Sequence, residues 1–159
     1  MKVGKPTPFL NTRANEGQGA FSPSGRWLAY SSNESGRIEV YVRPFPGPGG
    51  KWQVSGDGGS YPTWSRNSRE LFYLSTNGRL TVVSYTEEGG LFKADKPRQL
   101  CDTQLPGHLT QGFRSFDLHP DGTRFAVLQP FGDPARSRRE HLVLVLNFLD
   151  ELRRLAPAK

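Results

Sequence analysis

The chain has 159 residues, 21 basic against 15 acidic for a formal net charge of +6, with 35% hydrophobic residues, 18 Gly and 13 Pro. That length allows one substantial core or a few stacked modules but not two ordinary domains. A mean hydropathy of −0.60 with 11% aromatic residues excludes a disordered polar chain. The positive charge is dispersed. Only ARSRRE at 135–140 approaches the stripe of Lys and Arg that nucleic acid requires, and Glu140 closes it, so no nucleic-acid partner is expected. The longest apolar run, Leu142 to Leu146, is too short to cross a bilayer, no secretory h-region follows Met1 and Lys2, and no membrane contact by this segment is expected. A single cysteine, Cys101, excludes an internal disulfide and matches no metal-site spacing.

In chain order, TPFLN at 7–11 reads as a lone short strand. GAFS then leads into Pro23-Ser24-Gly25 and a second strand, WLAYSS; Gly25 supplies the positive φ of a tight hairpin. IEVYVRPF at 38–45, the loop PGPGG and KWQVS at 51–55 complete a first unit over 17–56. A second unit, 60–101, repeats this grammar around WSRNSRELFYLS, with Asn67 in the turn, where Asn tolerates the left-handed region. It continues through the Asn77-Gly78 turn to RLTVVSY at 79–85 and a weak strand near RQLC at 98–101. A third unit, 113–147, is built on LHPDGTRFAVLQ, whose Pro120-Asp121-Gly122 is the strongest hairpin signal in the chain. It ends with HLVLVLN at 141–147. A short helix at 148–156 follows, capped by Asn147 with Asp150 three residues on; Phe148, Leu152 and Leu155 form its apolar stripe and Pro157 stops it.

One phrase thus occurs three times, beginning at 21, 64 and 118. A spacing of about 40–50 residues with up to four strands per unit is the rhythm of propeller blades. The segments FSPSGRWLAYSSNESGRIEVYV, YPTWSRNSRELFYLS and HPDGTRFAV resemble the TolB-like PD40 repeats of the WD40-like β-propeller superfamily. Ser24 stands where Asp is usual, and Arg66, Asn67 and Ser68 replace Pro-Asp-Gly. The resemblance implies an all-β propeller fold with three four-stranded blades in this chain. PFPGPGGKWQVS at 44–55 and HLVLVLNFLDELRRLAP at 141–157 are further similar to the C-terminal propeller region of bacterial serine/threonine protein kinases. That similarity implies an accessory or sensor region, on the extracytoplasmic side of a membrane in the parent protein. The kinase machinery itself is absent from the sequence, which has no glycine-rich nucleotide loop, His-Arg-Asp or Asp-Phe-Gly element.

Rings of this kind hold four to eight blades, so three need company. The residues expected at blade interfaces are Trp27, Tyr30, Trp64, Phe72 and Phe125. An open arc would leave two such faces, and the edge after HLVLVLN, uncovered. Two copies about a two-fold axis would make a six-bladed ring, with each 7–11 strand completing the other copy's third blade. The remaining blades of a larger propeller are the other way to cover these faces.

No chemistry stands out. No Ser lies in Gly-x-Ser-x-Gly, and the three histidines follow no zinc spacing, so no catalytic residue, metal or cofactor is expected. Asp117 and Asp121 flank His119 and, with the loop residue His108, form the candidate ligand-binding group. The expected role is a noncatalytic scaffold that binds a protein or small ligand through its loops, chiefly 43–50, 102–112 and 130–140. The alternative is a propeller lyase or hydrolase with a metal-assisted site in the central channel.

Overall fold

The computed structural model describes residues 5–105, 114–130 and 140–145. The expected helix at 148–156, with Asn147 before it, and His108 lie outside the described residues. Twelve strands are present among those described: β1 (Glu16–Phe21), β2 (Trp27–Ser32), β3 (Glu39–Pro44), β4 (Trp52–Gln53), β5 (Gly59–Trp64), β6 (Glu70–Ser75), β7 (Arg79–Glu88), β8 (Leu91–Ala94), β9 (Arg98–Gln104), β10 (Phe116–Leu118), β11 (Phe125–Pro130) and β12 (Glu140–Val145). They form three antiparallel sheets, β1-β2-β3-β4, β5-β6-β7-β8 with β9 also on β7, and β10-β11-β12. The all-β class read from the sequence therefore holds. Residues 7–11 are in no strand of this chain; Phe9 instead packs on Phe45, with ring centroids 5.2 Å apart.

The sheets stack face to face because the middle one is apolar on both sides. Along β6 and β7 alternate residues point opposite ways. Leu71, Tyr73, Val83 and Tyr85 join Trp27, Ala29, Val40 and Val42 of the first sheet in one core. Phe72, Leu74, Leu80 and Val82 join Phe116, Phe125 and Val127 of the third sheet in another. Trp27 and Trp64 thus lie between the first two sheets, and Phe72 meets Phe125 edge-on at 5.1 Å between the last two. Tyr30 belongs to neither core. It stacks on its register partner Tyr41, centroids 5.8 Å apart, on the outward face of the first sheet.

Two of the three repeated turns share one construction. The Gly25 N–H donates to the Ser22 carbonyl and the Gly122 N–H to the His119 carbonyl, both at 2.9 Å, with φ of 68° and 73°. The left-handed fourth residue makes glycine the residue without steric cost there. The middle turn differs from the expectation for Asn67, which does not adopt positive φ. There the Ser65 hydroxyl accepts from the Asn67 and Ser68 N–H groups at 3.4 and 3.1 Å, so a side chain closes the turn instead. After β6, the Gly78 N–H reaches the Ser75 carbonyl at 2.9 Å and the Asn77 side chain accepts from the Arg79 N–H at 3.2 Å.

The second sheet departs most from the sequence reading. Strand β7 runs on to Glu88, turns through Glu88-Gly89-Gly90-Leu91 and returns as β8, a strand additional to those expected from the sequence. Both turn glycines have positive φ, as a two-residue I′ hairpin demands. The hairpin carries Phe92 into the first core. This ring is 2% exposed and meets Trp27, Trp52, Trp64 and Tyr85 at centroid distances of 5.4, 6.0, 6.1 and 5.2 Å. The chain then returns as β9 along the first half of β7.

A polar knot sits where the first sheet passes to the second. Glu39 is fully buried. Its carboxylate accepts from Arg37 Nε at 2.6 Å, from the Ser55 hydroxyl, and from the Gly58 N–H at 3.1 Å to each oxygen. Ser55 Oγ in turn accepts the Val40 N–H at 2.7 Å. Gly58 has φ 85°, and a Cβ there would collide with the Thr76 hydroxyl.

Three outcomes follow from this packing. Phe92→Ala empties the centre of an aromatic cluster and is expected to cost about 3–5 kcal/mol in urea unfolding. Glu39→Ala strands the Ser55 hydroxyl and the Gly58 N–H in a buried place and is expected to cost about 2–4 kcal/mol by the same measurement. The third concerns alkali. Burial, then nearby carboxylates, push the Tyr30 and Tyr73 phenols up to about 12. Unfolded tyrosines ionise near ~10, so the folded chain holds protons that the unfolded chain has lost. Stability is therefore intact below about pH 10 and declines toward about pH 12, by roughly 2–3 kcal/mol per tyrosine. Tyr73→Phe should make that decline shallower.

Candidate functional site

Three of the four candidate ligand residues fall near one cleft of about 320 Å³ between the second and third sheets. Its walls are the end of β5 with the turn after it, and β10 with the turn after that. Asp117 and His119 line it together with Thr63, Trp64, Arg66 and Arg114. The last four were not singled out as ligand residues from the sequence. Thr63 and Arg114 are 51 positions apart, and only the stacking of two sheets brings the guanidinium to 3.2 Å from the Thr63 hydroxyl. The turns are tied by Asn67, whose amide donates to the Pro120 carbonyl at 3.2 Å.

The carboxylates are already paired. Arg114 Nη2 lies 3.1 Å from Asp117 Oδ1. Asp121 is turned into its own hairpin, where it accepts from the Thr123 N–H and hydroxyl, each at 2.9 Å, and from Arg124 Nε at 2.7 Å. His119 Nδ1 lies 2.9 Å from the same carboxylate. The Thr123 N–H, helped by the Thr123 hydroxyl, Arg124 and His119, holds the Asp121 carboxyl well below the usual carboxylate range. Asp117 and Asp121 therefore do not converge with His119 on a common cation position. Among the described residues no group of three or more His, Cys, Asp or Glu is placed to hold a metal.

What remains available is positive. Arg66 is exposed and makes no ion pair with a described residue, and Arg114 spends one guanidinium edge on Asp117 and Thr63. A cleft with two guanidinium groups, an imidazole and one committed carboxylate suits a carboxylate or similar acidic group on a ligand. Trp64 adds a ring wall whose Nε1 is already bonded to the Ala20 carbonyl at 2.9 Å, which fixes its plane.

No known family profile matches the sequence. No curated protein matches it either. Among solved structures, the chain is similar to TolB from Acinetobacter baumannii, at 17% identity and a TM-score of 0.45, over 88% of this chain and 43% of that one. The chain thus spans less than half the length of that structure.

Proposed function

We propose that this chain is a noncatalytic binding scaffold, a three-bladed half of a TolB-like β-propeller that a second copy completes about a two-fold axis. The observation that carries this reading is the difference between the inner and outer sheet faces. The two faces of the middle sheet are sealed by its neighbours. The outward faces of the end sheets are covered only in part: Tyr30 and Tyr41 are buried on the first, yet other apolar side chains on these faces stay open. On the first sheet, Phe21 alternates with the core residue Ala20 and is 55% exposed, and Phe45, 4.8 Å from it, is 38% exposed. On the third, Leu128 alternates with Val127 and is 46% exposed. Sheets that stack apolar face on apolar face within one chain present, at both ends, the same kind of surface for another copy.

In such a ring the cleft bounded by Arg66, Arg114 and His119 would be the binding feature, taking an acidic group from a protein or small ligand. The similarity of residues 44–55 and 141–157 to propeller regions of bacterial serine/threonine kinases supports an accessory role beside such a kinase, on the extracytoplasmic side.

Light scattering on the whole folded chain tests the assembly. The expected mass is twice the 17.7 kDa of one chain. Phe21→Asp with Phe45→Asp should reduce it to a single chain while the far-ultraviolet β signature persists. A wild-type sample that is folded and has the mass of one chain would overturn the reading.

A further inference from the structure

At the other end of β5 from the cleft lies a larger hollow, a groove of about 650 Å³. Its walls are the β4–β5 link at 54–58 and the β8–β9 link at 95–97, with Tyr73 of β6 and the turn after β6 between them. The volume is in the range of ligand pockets, about 300–1,000 Å³.

The hydrogen-bonding state of three lining side chains is uneven in the same way. Asn77 Oδ1 accepts from the Ser75 hydroxyl at 2.6 Å and from the Arg79 N–H at 3.2 Å, which fixes the amide plane and leaves Nδ2 with no partner among the described residues. Gln53 Nε2 donates to the Ser55 carbonyl at 2.8 Å, and Oε1 has no partner among the described residues. The Tyr73 side chain is buried at 3% exposure, with its ring in the first core, yet its hydroxyl has no hydrogen-bond partner among the described residues. Each group is held on the protein side and turns a polar atom without a partner among the described residues toward the groove, so part of its ordering cost is met before any ligand arrives.

The lining also selects by chemistry. Exposed Asp57 and Asp95 stand at this groove, the former 3.7 Å from Arg37, and disfavour an anion. The exposed Lys96 beside Asp95 also lines the groove and offsets part of that charge; the other open groups are neutral, with donors (Tyr73, Asn77) and acceptors (Tyr73, Gln53) interspersed, and Val54 and Pro97 add apolar surface. A ligand whose every polar group both donates and accepts, and which carries C–H faces between them, satisfies such a lining.

We propose that this groove binds a short neutral oligosaccharide, held by the Tyr73 hydroxyl, the Asn77 Nδ2 donors and Gln53 Oε1. The assignment is independent of the ring and of the basic cleft. It is tested by titrating the whole ¹⁵N-labelled chain with cellobiose, maltose, lactose and N,N′-diacetylchitobiose. At least one of these should shift the backbone amides of Gly56, Gly58 and Asn77 saturably in the millimolar range. Tyr73→Phe removes only the hydroxyl, and Asn77→Asp keeps the oxygen that closes the turn while removing the donor. Each should weaken binding several-fold and the pair about tenfold or more, with a melting temperature close to that of wild type. If none of the four sugars moves these amides, or if both variants bind as the wild type does, the proposal fails.

Discussion

A carboxylate with no access to water fixes how the first sheet passes to the second. Burying an ion costs several kcal/mol unless its lone pairs are met, and Glu39 meets them with a guanidinium, a hydroxyl and one backbone N–H shared between both oxygens. None of these donors comes from the second sheet proper. Ser55 and Gly58 belong to the link, and that link is also bonded to both sides, the Gly59 N–H to the Ile38 carbonyl at 2.9 Å and the Asp57 carbonyl to the Thr76 hydroxyl at 3.0 Å. Apolar packing alone tolerates sliding of one sheet over another. This knot does not, and it sets where Trp64 lands against the first sheet.

Around this junction the repeat is regular in its backbone and irregular in what it buries. Strands β1 and β5 each carry a bulge, and at each bulge a residue other than glycine has φ of 56°, Gln18 and Tyr61. Such a conformation costs on the order of 1–3 kcal/mol. Here Gln18 Oε1 accepts both the Tyr61 N–H and the Ser31 hydroxyl at 2.8 Å, so one side chain joins the two bulges across the sheet interface. The asymmetry enters with Phe92. The first interface has an extra hairpin folded into it, clasped by an Arg26–Glu87 ion pair, whereas the second has no such hairpin among the described residues and is tied at its edge by the Asn67–Pro120 and Arg114–Thr63 contacts.

The strands were legible where neighbours in sequence are neighbours in space. The Pro-x-Gly turns at Gly25 and Gly122 and the run of β6 are set by local φ preferences and period-two burial. Phe92 was not legible, because it lies between Glu87, Glu88, Lys93 and Asp95 and reads as part of a polar connection. Its burial is decided by Trp27 and Trp52, which another sheet supplies. The Gly89-Gly90 pair between YTEE and LFKA was the local signal of that hairpin. Glu39 reads as the solvent side of an alternating strand, but Glu39, Val40, Tyr41 and Val42 are all buried, as happens when both faces of a strand are covered. The candidate ligand residues show the same limit. Asp121 and His119 are close in sequence and meet in the hairpin, while the Arg114–Thr63 contact that shapes the cleft has no local trace.

The two hollows at the ends of β5 differ for a reason rooted in these elements. At the Trp64 end the walls are hairpin turns, whose short loops leave room for long charged side chains; Asp121 is held by its own turn and Asp117 by Arg114, while Arg66 makes no ion pair among the described residues. At the Gly58 end the wall is a link whose backbone is committed to Glu39 and Thr76, and the groove there combines the exposed Asp57, Asp95 and Lys96 with amides and a hydroxyl held in place. Charged and neutral ligands alike gain most from partners already in place, so the fixed groups at each end matter more than the mobile ones. One strand therefore separates two hollows with different linings. The knot at Glu39 fixes the backbone of the link at one end, and leaves the other end to be shaped by the turns.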